Sequence, residues 1–178
     1  SHIIMASPIS NSSFAILSLL ISSLFFTPSS AITQADVTSV CSKSLDPGFC
    51  STYLMSTPGL STATFKDLSQ DTINTIVIRS GIIISLISNL QRGLVDPSES
   101  KSLAFCSQSY HQMVDQMRTA LQSLVLGERP QVLASASAGI GLCAGCAREL
   151  HGTAIVLGSD NQYVKEYLST LVELSKRL

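Results

Sequence analysis

Tryptophan is absent from the 178 residues, aromatic side chains of any kind supply only 6%, and charged ones 13%. So few rings and charges leave the chain without an aromatic-rich core and without the ion-pair networks of a highly charged surface. No basic stripe exists: Lys and Arg total 11 against 12 Asp and Glu, for a formal charge of −1. That balance argues against nucleic acid and against electrostatic attachment to a membrane. No glycine-rich loop follows a strand pattern, and no Glu-x-x-His pair occurs, so neither a phosphate cradle nor a bundle metal site is expected. The three histidines (His2, His111 and His151) keep no ligand spacing against the cysteines, which sets zinc aside. No cofactor and no metal are expected. Beyond residues 14–26 no second long apolar run is read, so the remainder is expected to be soluble and free of membrane.

What the chain does hold is sulfur. Cys41 and Cys50 lie nine positions apart, Cys106 follows, and Cys143 and Cys146 close the set. Upstream, Phe14 to Phe26 is an unbroken run of apolar and Ser residues, followed by Thr27-Pro28-Ser29-Ser30-Ala31. The run is too short to span a bilayer but suits the apolar region of a signal peptide, and Ser29-x-Ala31 is a small-x-small cleavage site. Ser1-His2-Ile3-Ile4 ahead of Met5 reads as a cloning remnant. Residues 1–31 are therefore expected to be remnant plus signal peptide, and 32–178 the working domain. A secreted chain keeps its cysteines oxidised, so Cys41–Cys50 and a Cys106 bridge are expected as disulfides, with one thiol left over.

After the leader the apolar periodicity is helical nearly throughout. Short helices from Thr33 to about Cys41 and from about Asp46 to Met55 make a hairpin, spanning 32–66 with its exit at Pro58-Gly59. A long helix, capped by Asp67 or Asp71, runs to Gly93 with Ile73, Ile76, Val77, Ile84, Ile87 and Leu90 on one side. Its β-branched stretch from Ile76 to Ile84 has strand composition, but its length without turn residues favours helix. Asp96-Pro97 marks a turn. Leu103, Cys106, Tyr110, Met113, Met117, Leu121 and Leu124 then step by three and four, giving one clean apolar stripe. Gly127 ends that helix, and Pro130 suits the first turn of a small-residue-rich successor reaching Leu150. A Gly158-Ser159-Asp160 break precedes a last stripe of Tyr163, Tyr167, Leu171, Leu174 and Leu178. Four long helices on short loops are expected to form an up-down-up-down bundle over 67–178, so the fold class is all-α. Antiparallel packing brings Cys106, early in one helix, to the late end of the next, where Cys143 and Cys146 stand almost one turn apart. Either is within reach of Cys106. The Ile78, Ile82 and Leu86 side of the first long helix would suit a ligand groove or the docked hairpin, and the hairpin is the expected cover.

The spacing of these features resembles the plant invertase and pectin methylesterase inhibitor family from about Asp36 to Leu178. The matching pieces are Asp46-Pro47 just before the second cysteine, Asp96-Pro97 ahead of Cys106, Cys106-x-x-x-Tyr110, Gly127, and Ala136-Ser137-Ala138 leading to Cys146. The resemblance implies a stapled four-helix bundle with an N-terminal helical hairpin, secreted to the cell wall or sent to the vacuole. It implies the pairs Cys41–Cys50 and Cys106–Cys146, leaving Cys143 as a free thiol. It also implies a proteinaceous inhibitor of a carbohydrate-active enzyme. Relatives that bind invertase carry Pro-Lys-Phe between the second and third bundle helices; here Arg129-Pro130-Gln131 stands in that place.

No catalytic residues are expected. Ser107, His111 and Asp115 are spaced like a triad but project side by side from one helix, without a pocket or an oxyanion hole. The expected work is binding. A rigid bundle loses little entropy on docking, and the polar face of the second bundle helix, Gln108, His111, Gln112, Asp115 and Thr119, is the expected partner-binding surface. The expected partner is a pectin methylesterase, bound one-to-one by a monomer, with its active-site cleft blocked. An acid invertase is the alternative partner, and a non-inhibitory binding bundle the further one. Protonation of His111 in an acidic cell wall would tune the affinity.

Overall fold

A computed structural model describes residues 31–93 and 96–178. The expected leader lies outside the described residues except for its last member, Ala31. Six α-helices occur among the described residues: α1 Gln34–Cys41, α2 Pro47–Met55, α3 Phe65–Gly93, α4 Pro97–Leu126, α5 Arg129–Glu149 and α6 Gly158–Ser175. All regular structure there is helical, including the β-branched stretch from Ile76 to Ile84, which sits inside α3. Tertiary burial of one face outweighs the weak strand preference of those side chains.

The first four helices start where the sequence supplies an acceptor for free backbone amides, whereas α5 and α6 begin without a side-chain cap. Thr33 and Asp36 form a reciprocal box at α1. The Thr33 hydroxyl accepts from the Asp36 amide at 3.2 Å, and the Asp36 carboxylate accepts from the Thr33 amide at 2.9 Å. The Thr33 hydroxyl also donates to the Asp36 carboxylate at 2.7 Å, and this bond foremost, with that from the Thr33 amide, holds the Asp36 carboxyl below the usual carboxylate range. Asp46 accepts from the Phe49 amide at 2.9 Å with Pro47 at the first helical position, and Asp96 from the Ser98 amide at 2.8 Å with Pro97 likewise. At α3 the expectation is corrected. The capping hydroxyl belongs to Thr64, which accepts from the Asp67 amide at 3.2 Å, while Asp67 reaches back to the Thr64 amide at 2.8 Å. Asp67 is thus the third helical residue, and Asp71 lies a turn further in. Gly127 closes α4 at φ 76°, a left-handed conformation that suits glycine, and the Glu128 amide returns to the Ser123 carbonyl at 2.8 Å. The last break is also earlier than expected. A 3-10 turn, Gly152–Leu157, fills the connection, and Gly158, Ser159 and Asp160 already belong to α6.

In the bundle α3 packs on α4 and α6, and α5 packs on the same two helices, so consecutive helices are neighbours around a square. Its centre is built from Ile73, Ile76, Ile83 and Ile87 of α3, the α4 stripe, Val132 and Ala136 of α5, and Val164, Leu168 and Leu171 of α6. Ile83, not Ile84, is the fully buried member of α3. A second cluster joins Val37, Val40 and Leu54 of the hairpin to Leu68 of α3 and Leu174 of α6. The hairpin therefore docks chiefly on α6, and α6 is buried on two faces instead of carrying one stripe; Tyr163 is half exposed. Ile78 and Ile82 stay 65% and 53% exposed, so the hairpin does not cover them. By length and composition α3 and α5 are apolar enough to cross a bilayer, which corrects the reading of a single long apolar run. Each turns one face into the bundle core.

Two disulfides staple the fold. Cys41–Cys50 closes the hairpin with a Cα separation of 5.4 Å, and Cys106–Cys146 joins α4 to α5 with 4.8 Å. Cys143 is a buried free thiol.

Candidate functional site

Gln108, His111, Gln112, Asp115 and Thr119 are all exposed on α4. Helical spacing of three and four sets them in one strip, about 16 Å long at 1.5 Å per residue. Their side chains are differently engaged. The Asp115 carboxylate accepts from Arg118 at 2.7 Å in an exposed pair, and the Thr119 hydroxyl donates to the Asp115 carbonyl at 3.1 Å. Gln108 and Gln112 flank a groove between α4 and α5.

That groove, of about 240 Å³, is completed by Phe105 and Ser109 of α4 and by Gly141, Leu142, Gly145 and Arg148 of α5. Glycine shapes its floor. A Cβ on Gly145 would stand 3.5 Å from the Phe105 ring and 3.8 Å from the Arg148 guanidinium, so the Phe105 ring lies directly on the helix backbone. Phe105 is nonetheless 44% exposed. The strip is thus continuous with an aromatic side chain and a cation from α5. Helical spacing on α4 alone could not show these; the signal in the sequence was the small-residue run of α5, which allows close approach without saying to what.

The ground beneath the groove is rigid. Cys106 and Cys146 follow Phe105 and Gly145 directly and are bonded to each other. Deeper, the Tyr110 hydroxyl donates to Asn161 Oδ1 at 2.7 Å, and Asn161 Nδ2 donates to the Cys143 carbonyl at 3.1 Å. One buried chain of hydrogen bonds therefore links α4, α6 and α5, each partner satisfying a group that would otherwise be costly to bury. Burial raises the Tyr110 phenol well above its ordinary value and pushes the Cys143 thiol up to about 12, against a smaller opposing effect of the Tyr110 hydroxyl.

Ser107, His111 and Asp115 are not drawn together into a relay, since the Asp115 carboxylate is committed to Arg118. A different pair does approach. Ser102 Oγ lies 3.4 Å from Nδ1 and 3.3 Å from Nε2 of His151. Near-equal distances to both ring nitrogens mean that neither lone pair is aimed at the hydroxyl. Ser102 already donates to the Ser98 carbonyl at 3.1 Å, so the pair lacks the directed bond of a nucleophile and its base. Among the described residues no group of three or more His, Cys, Asp or Glu converges as metal ligands would.

Residues 35–176 match the model of a family described as plant invertase/pectin methylesterase inhibitor. Pectinesterase inhibitor 2 of Arabidopsis thaliana is 28% identical over 113 residues, which are 62% of this chain and 65% of that protein. Pectinesterase inhibitor 1 of the same plant is 26% identical over 127 residues, 70% of this chain and 68% of that protein. The chain thus spans just under two thirds of the first relative's length. A crystal structure of a mutant form of a pectin methylesterase inhibitor from Arabidopsis superposes with a TM-score of 0.72 at 18% identity, covering 80% of this chain and 97% of that one. A second, of an inhibitor from Arabidopsis thaliana, gives 0.61 at 17% identity, covering 83% and 98%. At such identities the likeness is one of fold.

Proposed function

We propose, from the premise that this chain belongs to the plant invertase/pectin methylesterase inhibitor family, that it is a secreted protein inhibitor of a plant pectin methylesterase. In this reading residues 1–31 are a cloning remnant plus the export signal, and 32–178, the hairpin over 32–66 and the bundle over 67–178, form one inhibitor domain that works outside the cell. The chain performs no reaction itself. It docks one-to-one on the enzyme and occludes the active-site cleft with the exposed face of α4.

The observation that carries this reading is the strip from Gln108 to Thr119 running into the Phe105–Arg148 groove, on helices fixed by a disulfide directly below. A carbohydrate-binding cleft is lined by groups that hydrogen-bond hydroxyls, and amides such as Gln108 and Gln112 can donate to and accept from those same groups. Phe105 supplies a half-exposed aromatic anchor and Arg148 a forked donor for carboxylates, the residue types that dominate protein interfaces. Because the helices are held in place, little ordering is left to be done on binding.

The test is a parallel titration of the purified chain against a plant pectin methylesterase and an acid invertase at acidic pH. The expected result is loss of pectin methylesterase activity saturating at one inhibitor per enzyme, with invertase unaffected, in keeping with Arg129-Pro130-Gln131 where invertase-binding relatives have Pro-Lys-Phe. Full pectin methylesterase activity in the presence of excess folded chain would overturn the reading, and loss of invertase activity alone would move it to the other target.

A further inference from the structure

A cleft remote from the α4 face opens between the hairpin and the last helix. It has a volume of about 650 Å³, within the range of small-molecule sites. Two aromatic pairs at four-residue spacing line it and pack on one another: Phe49 and Tyr53 on α2, Tyr163 and Tyr167 on α6. Ring centroids lie 4.8 Å apart for Tyr53 and Tyr167, 4.9 Å for Phe49 and Tyr167, and 6.1 Å for Phe49 and Tyr163. In a chain with only 6% aromatic residues, four rings on two facing surfaces concentrate a scarce resource. Tyr53 and Tyr167 meet edge to face, forming the packed base, whereas Tyr163 is half exposed at the rim.

The charges that line the cleft have one sign. Asp46 and Glu166 are there, and none of the lining residues is Lys or Arg. Glu166 is held in place, accepting from the Gln162 amide at 2.9 Å, and is 9% exposed. Asp46 is fixed through its bond from the Phe49 amide. Ring faces carry negative quadrupole potential, so rings and carboxylates here favour the same charge. We propose that this cleft binds a small organic cation, an amine or quaternary ammonium, seated against the tyrosine and phenylalanine rings and neutralised by Glu166 and Asp46. An anion would meet repulsion from both carboxylates, and a neutral apolar compound would leave them unpaired. The site is independent of the α4 face and does not rest on the inhibitor reading.

Choline and its neutral isostere 3,3-dimethyl-1-butanol separate charge recognition from shape. With no tryptophan to mask them, the tyrosines themselves report occupancy by fluorescence, and calorimetry gives the affinity. Saturable choline binding is expected, with the neutral isostere weaker by about tenfold or more, as cation–ring attraction plus ion pairing implies. Tyr163→Ala and Glu166→Gln are each expected to weaken choline by about fivefold or more. Tyr163 is half exposed, so that variant tests the site without disturbing the core, and matching melting temperatures verify this. Equal affinity for choline and the alcohol, binding of a neutral sugar in place of choline, or choline binding unmoved by both substitutions would each overturn the proposal.

Discussion

Gly139 and Gly141 stand two positions apart on α5 and meet opposite surroundings. A Cβ on Gly139 would come within 2.7 Å of Leu168 and 2.8 Å of the Met113 sulfur, whereas one on Gly141 would meet nothing within 4 Å. Gly139→Ala is therefore expected to destabilise by about 1–3 kcal/mol through overpacking. Gly141→Ala should stabilise by about 0.5–1 kcal/mol, since helix interiors favour alanine. Thermal melts of the two variants beside the parent check both signs; a drop in each would mean that α5 needs its flexibility, not its close contact. Cys143 gives a second residue-scale expectation. Its thiol is raised from 9.0 to about 12, so between those values the folded chain keeps a proton that the unfolded chain has released. The stabilisation is complete below pH 9.0 and declines as pH rises towards about 12. The Tyr110 phenol, also raised, adds a loss that begins nearer 10.0. Melting temperature against pH should fall from the lower value in the parent, and only from the higher one in Cys143→Ala. An unchanged onset would show that the thiol is not protected by burial.

Among the elements, the hairpin stands apart because, of the fully buried residues in its own cluster, Leu68 and Leu174 alone come from the bundle. In the chain-entropy model its disulfide contributes up to about 3 kcal/mol and Cys106–Cys146 up to about 4. Replacing Cys41 and Cys50 together by Ser is expected to speed amide exchange in α1 and α2 by orders of magnitude while α3–α6 keep their protection. Replacing Cys106 and Cys146 should lower protection everywhere, since that bond lies under the main core. Exchange mapped by mass spectrometry checks this, and uniform loss from the first pair would show that the hairpin is no separate unit. The elements also mark what the sequence could disclose. Asp46-Pro47, Asp96-Pro97 and Gly127 act locally, so the ends they set were legible from residue type alone. The α4 stripe was legible because that helix buries a single face. Where two partners share a helix, periodicity blurs. On α6 the bundle takes Val164 and Leu168 and the hairpin takes Leu174, which no single stripe could express. The exposed Ile78 and Ile82 were misread for the same reason: apolar residues off the stripe imply cover, but nothing local says which helix the hairpin chooses. At the candidate site the α4 strip could be read from helical spacing. Phe105 and Arg148 could not, because they meet it only through packing of α4 on α5.

For the whole molecule, one bundle holds two separate faces, the α4–α5 surface proposed for the enzyme and the α2–α6 cleft proposed for a cation, and mutations should divide accordingly. Interface energy concentrates in a few buried anchors. Phe105→Ala and Arg148→Glu are therefore each expected to weaken pectin methylesterase inhibition by about tenfold or more, or about 1.4 kcal/mol. The double change Gln108→Ala, Gln112→Ala should do the same if the amides read the cleft. Tyr163→Ala, across the molecule, and Ile78→Ser, on the bare side of α3, should leave inhibition within about twofold. Inhibition constants for the set, each variant confirmed folded by its melt, decide the matter. Loss spread evenly over all the substitutions would mean that the bundle binds by another surface. Loss confined to Tyr163 would mean that the hairpin side is what the enzyme meets. The disulfide under Phe105 gives this division a mechanical basis: it fixes α4 against α5 at the height of the groove, so a substitution in the distant cleft must work against a covalent tie to shift the anchors.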